Sequence, residues 1–159
     1  MFSLPILVIF GLISTVSSNS NCCPDKWTGY KGSCYQYFAL ESAWEDAESY
    51  CFGYHKAHLV GINDKDENEF VSDLIACPQM PNGAYTWIGL NDMGNEGVFR
   101  QADGSSADFK NWASGEPNDS NGSENCVETN HGNRELWNDR SCTDESHFVC
   151  EKLAKKSDC

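Results

Sequence analysis

The sequence predicts an α+β fold in which two helices flank small antiparallel sheets and disulfides brace the chain. Three observations lead to this prediction. Two segments repeat apolar residues at helical intervals, several short segments are typical of strands, and nine cysteines occur among 159 residues. A chain of this length leaves room for one domain.

Each predicted helix begins with a polar residue that lies three positions before a glutamate. Ser42 precedes Glu45, which is the spacing of a capping box, and Asp64 precedes Glu67 in the same way. Apolar residues then follow on one stripe in both segments. The predicted helices cover residues 42–50 and 64–76.

The predicted strands are short apolar or aromatic segments bounded by turn residues. An aromatic-rich hairpin comes first, with Gly29 and Gly32 as its turn residues. The other strands follow the second helix and a stretch rich in proline and glycine. The hairpin covers residues 27–38, and the later strands cover 85–90, 98–101, 126–128 and 148–152.

The N-terminus is predicted to be a secretory signal peptide over residues 1–18. Its apolar run, residues 4–13, is shorter than the roughly 18 residues that a membrane span needs, and small residues follow it. The alternative is a buried N-terminal helix, which would have to pack against a domain that begins with paired cysteines. Because disulfides persist outside the reducing cytosol, the cysteine content agrees with export. We expect a secreted, extracellular protein without a membrane span.

The charge and the cysteine spacing narrow the classes of partner. The formal net charge is −13, whereas nucleic acid binding needs clustered Lys and Arg, so nucleic acid is excluded as a partner. The excess of carboxylates either keeps the domain soluble or binds a cation. The cysteines are mostly far apart, unlike the close pairs of zinc sites, and an odd number leaves at least one unpaired within the chain.

A long polar segment, residues 103–125, lies between two predicted strands. Segments of this length inside a compact domain are often functional, and the alternative is a mobile surface loop. Phe109 and Trp112 are apolar anchors that favour an ordered segment. Behind them, residues 116–119 (Glu-Pro-Asn-Asp) and Glu124 bring acceptor oxygens close together in the sequence.

Five short motifs occur in a fixed order along the chain. They are Cys23-Pro24 with Trp27 and Cys34-Tyr35, Trp87-Ile88-Gly89-Leu90, Glu116-Pro117-Asn118, Trp137-Asn138-Asp139, and the spaced cysteines Cys126, Cys142 and Cys150. In this order they resemble the long form of the C-type lectin-like domain, over roughly residues 23–152, with residues 153–159 as a C-terminal tail. The chain is more similar to small secreted lectins of invertebrates than to membrane receptors.

The resemblance implies three disulfides and leaves three cysteines over. The implied pairs are Cys23–Cys34, Cys51–Cys150 and Cys126–Cys142, and the remaining cysteines are Cys22, Cys77 and Cys159. A free thiol is unfavourable on an exported protein, so we expect one or all of the remaining three to link chains into a homo-oligomer.

The resemblance also implies a primary calcium site in the long loop region. Calcium takes about six to eight oxygen ligands from carboxylates, amides and backbone carbonyls. The residues that match the family's ligands are Glu116, Asn118, Glu124, Asn138 and Asp139. The proline between the first two is cis in the family, which directs both side chains toward one point.

The same five residues are the expected carbohydrate site. A sugar hydroxyl can donate to a carboxylate and accept from an amide, so alternating Glu and Asn side chains satisfy two neighbouring hydroxyls. In the family, members with Glu-Pro-Asn prefer mannose, fucose and N-acetylglucosamine, and members with Gln-Pro-Asp prefer galactose. We therefore expect a mannose-type lectin, a function that fits innate immune recognition among other settings.

An auxiliary calcium site is implied by Asp92, Glu96, Asp119 and Glu124. Asn125 departs from the pattern, because many family members carry Asp there, and the loss of one charge weakens this site. Two glycosylation sequons, at Asn118 and Asn121, lie in the same region. A glycan on Asn118 would remove a calcium ligand, so we expect that sequon to be unused.

Two rival functions belong to other classes. A C-type lectin-like domain can bind protein or mineral surfaces without sugar recognition, although the complete ligand set argues against this. A glycosidase needs two carboxylates at a fixed separation, one of them in an apolar pocket, whereas these carboxylates are flanked by Asn and Gly. We therefore predict that the protein is not an enzyme.

Overall fold

The computed structural model describes residues 23–76 and 84–155. The predicted signal peptide and three cysteines without a family partner, Cys22, Cys77 and Cys159, lie outside these residues. Within the described part of the chain, no helix has the length and apolar character that crossing a membrane requires.

The described residues form two helices and eight strands. In chain order they are β1 (Thr28–Tyr30), β2 (Ser33–Ser42), α1 (Trp44–His55), β3 (His58–Leu59), α2 (Lys65–Ile75), β4 (Thr86–Asn91), β5 (Arg100–Gln101), β6 (Cys126–Thr129), β7 (Trp137–Arg140) and β8 (Ser146–Leu153). A short 3-10 turn, Ser120–Gly122, lies between β5 and β6.

The strands form one connected sheet in the order β1-β2-β8-β4-β6-β7, with β3 on β8 and β5 on β4. The pair β4 and β8 is parallel, and the other pairs are antiparallel. The predicted α+β fold is confirmed, and its small sheets are parts of this single mixed sheet. Because β8 returns beside β2, the two ends of the domain meet along one long strand pair.

Both predicted helices are present, but one cap prediction is wrong. Ser42 ends β2, and Ala43 precedes α1 without a side-chain cap. For α2 the prediction is confirmed, because the Asp64 carboxylate accepts a hydrogen bond of 2.9 Å from the backbone N–H of Glu67. The strand predicted from residue 98 starts later, because Val98 donates its N–H to Asn95 within a turn.

The three implied disulfides are present in the structure: Cys23–Cys34, Cys51–Cys150 and Cys126–Cys142. Cys51–Cys150 joins α1 to β8, and both of its residues are fully buried in the core beneath that helix. Cys126–Cys142 fastens the start of β6 to the segment after β7. The disulfides therefore brace the strand pairs that lead into the long loop region.

Gly89 marks the closest approach between β4 and the segment after β3. Its N–H donates to the Val60 carbonyl at 2.7 Å, and a Cβ at position 89 would lie 2.5 Å from the Leu59 carbonyl oxygen. A side chain here would collide with backbone atoms, which cannot move aside as a flexible side chain could.

Gly89→Ala is therefore expected to destabilise the domain by about 1–3 kcal/mol, as overpacking of a core does. Gly94→Ala is the matched control, because a Cβ there meets no atom within 4 Å. Urea unfolding of the two variants measures the difference. Equal unfolding midpoints for both would contradict the close approach at Gly89.

Candidate functional site

The long polar segment is held against β7 by backbone and aromatic contacts. The N–H of Ala113 donates to the Trp137 carbonyl at 2.8 Å, and the Trp137 N–H donates to the Asn111 carbonyl at 2.9 Å. Phe109 and Trp112 both pack edge-on against the buried Trp137 ring. The segment is therefore ordered at its base, as the two apolar anchors predicted.

Asp139 of β7 fixes the conformation of the Glu-Pro-Asn segment. Its carboxylate accepts the N–H of Asn118 at 2.9 Å through one oxygen and the N–H of Asp119 at 2.8 Å through the other. Asp139 is buried, and the bond between Glu116 and Pro117 is cis, as the family resemblance implies. The Asn118 amide donates to the Glu116 carboxylate at 2.5 Å, so the two flanking side chains meet.

Glu124 is brought to the same region by the 3-10 turn. Its carboxylate accepts the N–H of Ser120 at 2.9 Å, and its own N–H donates to the Asp119 carboxylate at 3.1 Å. The N–H of Gly122 closes the turn on the Asp119 carbonyl at 2.8 Å. The turn thus links Glu124 to the residues that follow Pro117.

Asn138 is oriented by a buried carboxylate for which the sequence predicted no role. The Glu128 carboxylate is almost completely buried, accepts the Asn138 amide N–H at 3.3 Å and pairs with Arg140 at 2.9 Å. Arg140 also bonds Asp144 at 2.7 Å, so it is a structural residue here. This bond uses one N–H of the Asn138 amide, which keeps its second N–H as a donor and its carbonyl oxygen as an acceptor. The sequence carried one signal for this role, because Glu128 is a charged residue inside the predicted strand that begins at Cys126.

Two glutamates of this region have a raised pKa, and neighbouring carboxylates contribute to both shifts. The pKa of Glu116 is raised by burial first and then by the hydrogen bond and repulsion from Asp139. The pKa of Glu96 is also raised, by the removal of water around it and by the charges of Asp92 and Asp119. Negative charges therefore lie close together at this site, and a bound cation would lower the repulsion between them.

Asp92 carries a buried oxygen without a hydrogen-bond partner. Its Oδ2 accepts the N–H of Gly97 at 2.7 Å, whereas its Oδ1 is buried and unpaired among the residues that the structure describes. The neighbouring backbone N–H of Asp92 donates to the carbonyl of Asn125. A buried unpaired carboxylate oxygen is unfavourable unless a cation or a donor satisfies it. The free carboxylate oxygen of Asp92 therefore suits a hard cation such as calcium.

No three carboxylate, imidazole or thiol groups within residues 23–76 and 84–155 form a metal cluster by themselves. The carboxylates of Asp139 and Glu124 are instead engaged by backbone N–H groups, each oxygen keeping a further lone pair. An ion at this site would therefore need the amide oxygens of Asn118 and Asn138 as well. Calcium, which accepts amide and carboxylate oxygens together, suits such a mixed set.

A cleft of about 500 Å³ lies elsewhere, and none of its lining residues belongs to this site. Lys56, Gly61, Gln101, Asp103, Glu151 and Lys152 are among the residues that line it. The candidate site is instead a set of loop and strand oxygens, with Asn138 and Asp139 buried, Glu116 half-buried and Asn118 exposed. Such a shallow arrangement is open to a ligand that presents only a few atoms.

Comparison with known proteins places the chain in a family. The family described as "Lectin C-type domain" matches residues 40–152, so the chain belongs to the C-type lectins. It is 39% identical over 140 residues to C-type lectin domain family 4 member G of Mus musculus, covering 84% of this chain and 45% of that protein. It is 32% identical over 157 residues to a protein named simply "Lectin" from Pleurodeles waltl, covering 94% of this chain and 90% of that protein.

Solved structures show the same fold. The carbohydrate-recognition domain of cow CD23, solved in the presence of a GlcNAc2Man3 oligosaccharide, has a TM-score of 0.73 and 34% identity, covering 84% of this chain and 97% of that one. A calcium-independent type II antifreeze protein has a TM-score of 0.74 and 26% identity, covering 84% of this chain and 95% of that one. The chain spans slightly less than half the length of the first three curated relatives. The family consists of non-enzymatic binding domains, and this chain contains its C-type lectin domain.

Proposed function

We propose that this protein is a secreted, calcium-dependent lectin that binds sugars of the mannose, fucose and N-acetylglucosamine type. The observation that carries the proposal is the meeting of Glu116 and Asn118 across the cis peptide bond, with Asp139 binding the backbone N–H groups of Asn118 and Asp119. Glu124 and Asn138 complete the set of oxygens expected around one calcium ion.

The chain's own residues would position both the ion and the sugar. Calcium supplies a Lewis-acidic centre that two neighbouring sugar hydroxyls can join. Glu116 and Glu124 would accept hydrogen bonds from these hydroxyls, while the amide NH2 groups of Asn118 and Asn138 would donate hydrogen bonds to them. Because each hydroxyl then has an acceptor, a donor and a cation, a site that touches few ligand atoms can still be selective.

We also propose an auxiliary calcium position at Asp92, Glu96, Asp119 and Glu124, whose carboxylates do not form a metal cluster by themselves and would have to draw together around the ion. The unpaired buried oxygen of Asp92 and the raised pKa of Glu96 support it. Asn125, which lies beside Asp92, lacks the charge of the aspartate that many family members carry there. We therefore expect this position to bind calcium more weakly than the primary site.

Sugar preference is expected to follow the order of acceptor and donor around the ion. Exchanging them, by Glu116→Gln with Asn118→Asp, should move preference from mannose toward galactose, because the hydroxyl geometry that satisfies both groups changes. Competition by methyl mannoside and methyl galactoside in calcium measures this. Glu69→Gln with Asn133→Asp, on exposed positions outside the site, is the matched control. An unchanged preference in the exchanged variant would place specificity elsewhere.

A rival function is recognition of a surface without sugar, and the calcium-independent antifreeze relative motivates it. That rival predicts binding that is insensitive to the carboxylates of the site. A glycan array, probed with and without calcium, separates the two functions, because a signal confined to mannose-type glycans in calcium supports only the lectin.

A covalent homo-oligomer, with a dimer as the simplest form, is also expected. The three disulfides of the described residues leave Cys22, Cys77 and Cys159, which lie outside those residues, and Cys22, which precedes Cys23 in the sequence, is the first candidate for a bridge between chains. Linked sites can gain avidity of about 10² to 10⁴ when geometry allows. Non-reducing electrophoresis of wild type and Cys22→Ser tests this, with the reduced samples as controls. A wild-type chain that migrates as a monomer without reductant would contradict the expectation.

A further inference from the structure

Two glycosylation sequons overlap the proposed sugar site, and the structure distinguishes them. They are Asn118-Asp119-Ser120 and Asn121-Gly122-Ser123, which share one loop. We propose that Asn121 is an N-glycosylation site and that its glycan controls the size of the ligand that reaches the neighbouring lectin site. The second half of this inference rests on the proposed function, whereas the first half does not.

Asn118 is poorly suited to carry a glycan in the folded protein. Its side-chain NH2 donates to the Glu116 carboxylate at 2.5 Å, and its backbone N–H is bound by Asp139 at 2.9 Å. A sugar on that nitrogen would stand between the two side chains that flank Pro117. Modification there would therefore be incompatible with the arrangement of the site.

Asn121 is suited to carry one. Its side chain is exposed, and the hydrogen bond found for its NH2 group is a long, exposed contact of 3.3 Å to the Ser120 hydroxyl. Its φ of 59° is a left-handed conformation, which asparagine tolerates at the tip of a turn. A bulky, water-soluble substituent on this nitrogen disturbs no buried contact.

The covalent step needs a donor of known chemical class and a transferase of the secretory pathway. The Asn121 side-chain nitrogen forms a bond to the anomeric carbon of an oligosaccharide carried on a polyisoprenyl diphosphate. The bond from that carbon to the diphosphate oxygen breaks, and the lipid diphosphate leaves with the electron pair. One proton is lost from the nitrogen, which keeps its other hydrogen as a glycosyl amide.

The turn that carries Asn121 is tied directly to residues of the site. The N–H of Ser120 binds the Glu124 carboxylate, and the N–H of Gly122 binds the Asp119 carbonyl. The first sugar of a glycan on Asn121 is thus held near Glu124. The outer branches of the glycan occupy the space above the loop. Large branched ligands are hindered there, whereas a monosaccharide still enters.

Expression in an animal-cell secretory host tests the modification. Mass spectrometry before and after treatment with peptide N-glycosidase should show one N-glycan on wild type. The glycan should be absent from both Asn121→Gln and Ser123→Ala, and retained in Ser120→Ala, which removes only the sequon at Asn118. A wild-type chain without a glycan, or with its glycan on Asn118, would overturn the assignment.

Binding measurements then test the control of access. In calcium, wild type should bind a branched mannose polymer several-fold more weakly than either unglycosylated variant, with similar affinities for methyl mannoside. Equal affinities for the polymer would overturn this control. Failure of every form to bind methyl mannoside would refute the lectin function and the control together, whereas the mass measurement decides the modification by itself.

Discussion

Replacing both Cys51 and Cys150 with alanine is expected to lower the free energy of unfolding by about 4–5 kcal/mol. This disulfide closes a loop with a sequence separation of 99 residues, so its removal releases much chain entropy in the unfolded state. Both sulfur atoms also lie in the core between α1 and β8, where alanine would leave unfilled space. Both effects act in the same direction.

The matched control is removal of Cys23–Cys34, whose sequence separation is 11 residues. The same entropy argument gives about 3 kcal/mol for a loop of that size. Urea unfolding of the two double variants, under oxidising conditions, compares them directly. If both lost the same stability, loop length would not determine how the disulfides contribute.

Asp139→Asn is expected to weaken calcium binding by at least about 10- to 100-fold, the loss typical of a supporting contact around a metal, because Asp139 is an expected ligand as well as a support for the loop. The carboxylate holds two backbone N–H groups at once, and an asparagine offers one oxygen and one NH2 group in the same place. The N–H of Asn118 or of Asp119 would therefore face another donor at the buried end of this contact. Sugar binding should be lost together with calcium binding.

Isothermal titration with calcium measures this effect, and Glu69→Gln is the control. Glu69 is an exposed carboxylate on α2, so its neutralisation changes the net charge equally without touching the site. Circular dichroism establishes whether the variant remains folded. A folded Asp139→Asn variant with wild-type calcium affinity would show that Asp139 does not organise the loop.

Local sequence patterns predicted the elements that depend on local physics. Helix α2 followed from its apolar stripe and from the cap at Asp64, both of which act within one helical turn. The strand containing Trp87 and Gly89 followed from a continuous apolar run, because β4 is buried along nearly its whole length. The cis bond before Pro117 and the disulfide pairs followed from the family resemblance.

Features that depend on distant contacts could not be predicted in this way. Ser42 has the spacing of a helix cap, but pairing with Ser146 of β8 keeps it in an extended strand. The role of Glu128 depends on Arg140 and Asn138, which meet it only when β6 and β7 pair. The primary ligands were predicted as a set, whereas the hydrogen bonds that Asp139 makes to the backbone became visible only in the folded chain.

The most direct test of the proposed lectin function is the binding of wild-type protein to immobilised mannose in calcium, in EDTA, and after calcium is restored. We predict binding in calcium, none in EDTA, and full recovery on adding calcium back, because in the proposed site the residues around Pro117 hold the sugar together with the ion. Equal binding in calcium and in EDTA would contradict a site in which the ion joins the sugar to the protein.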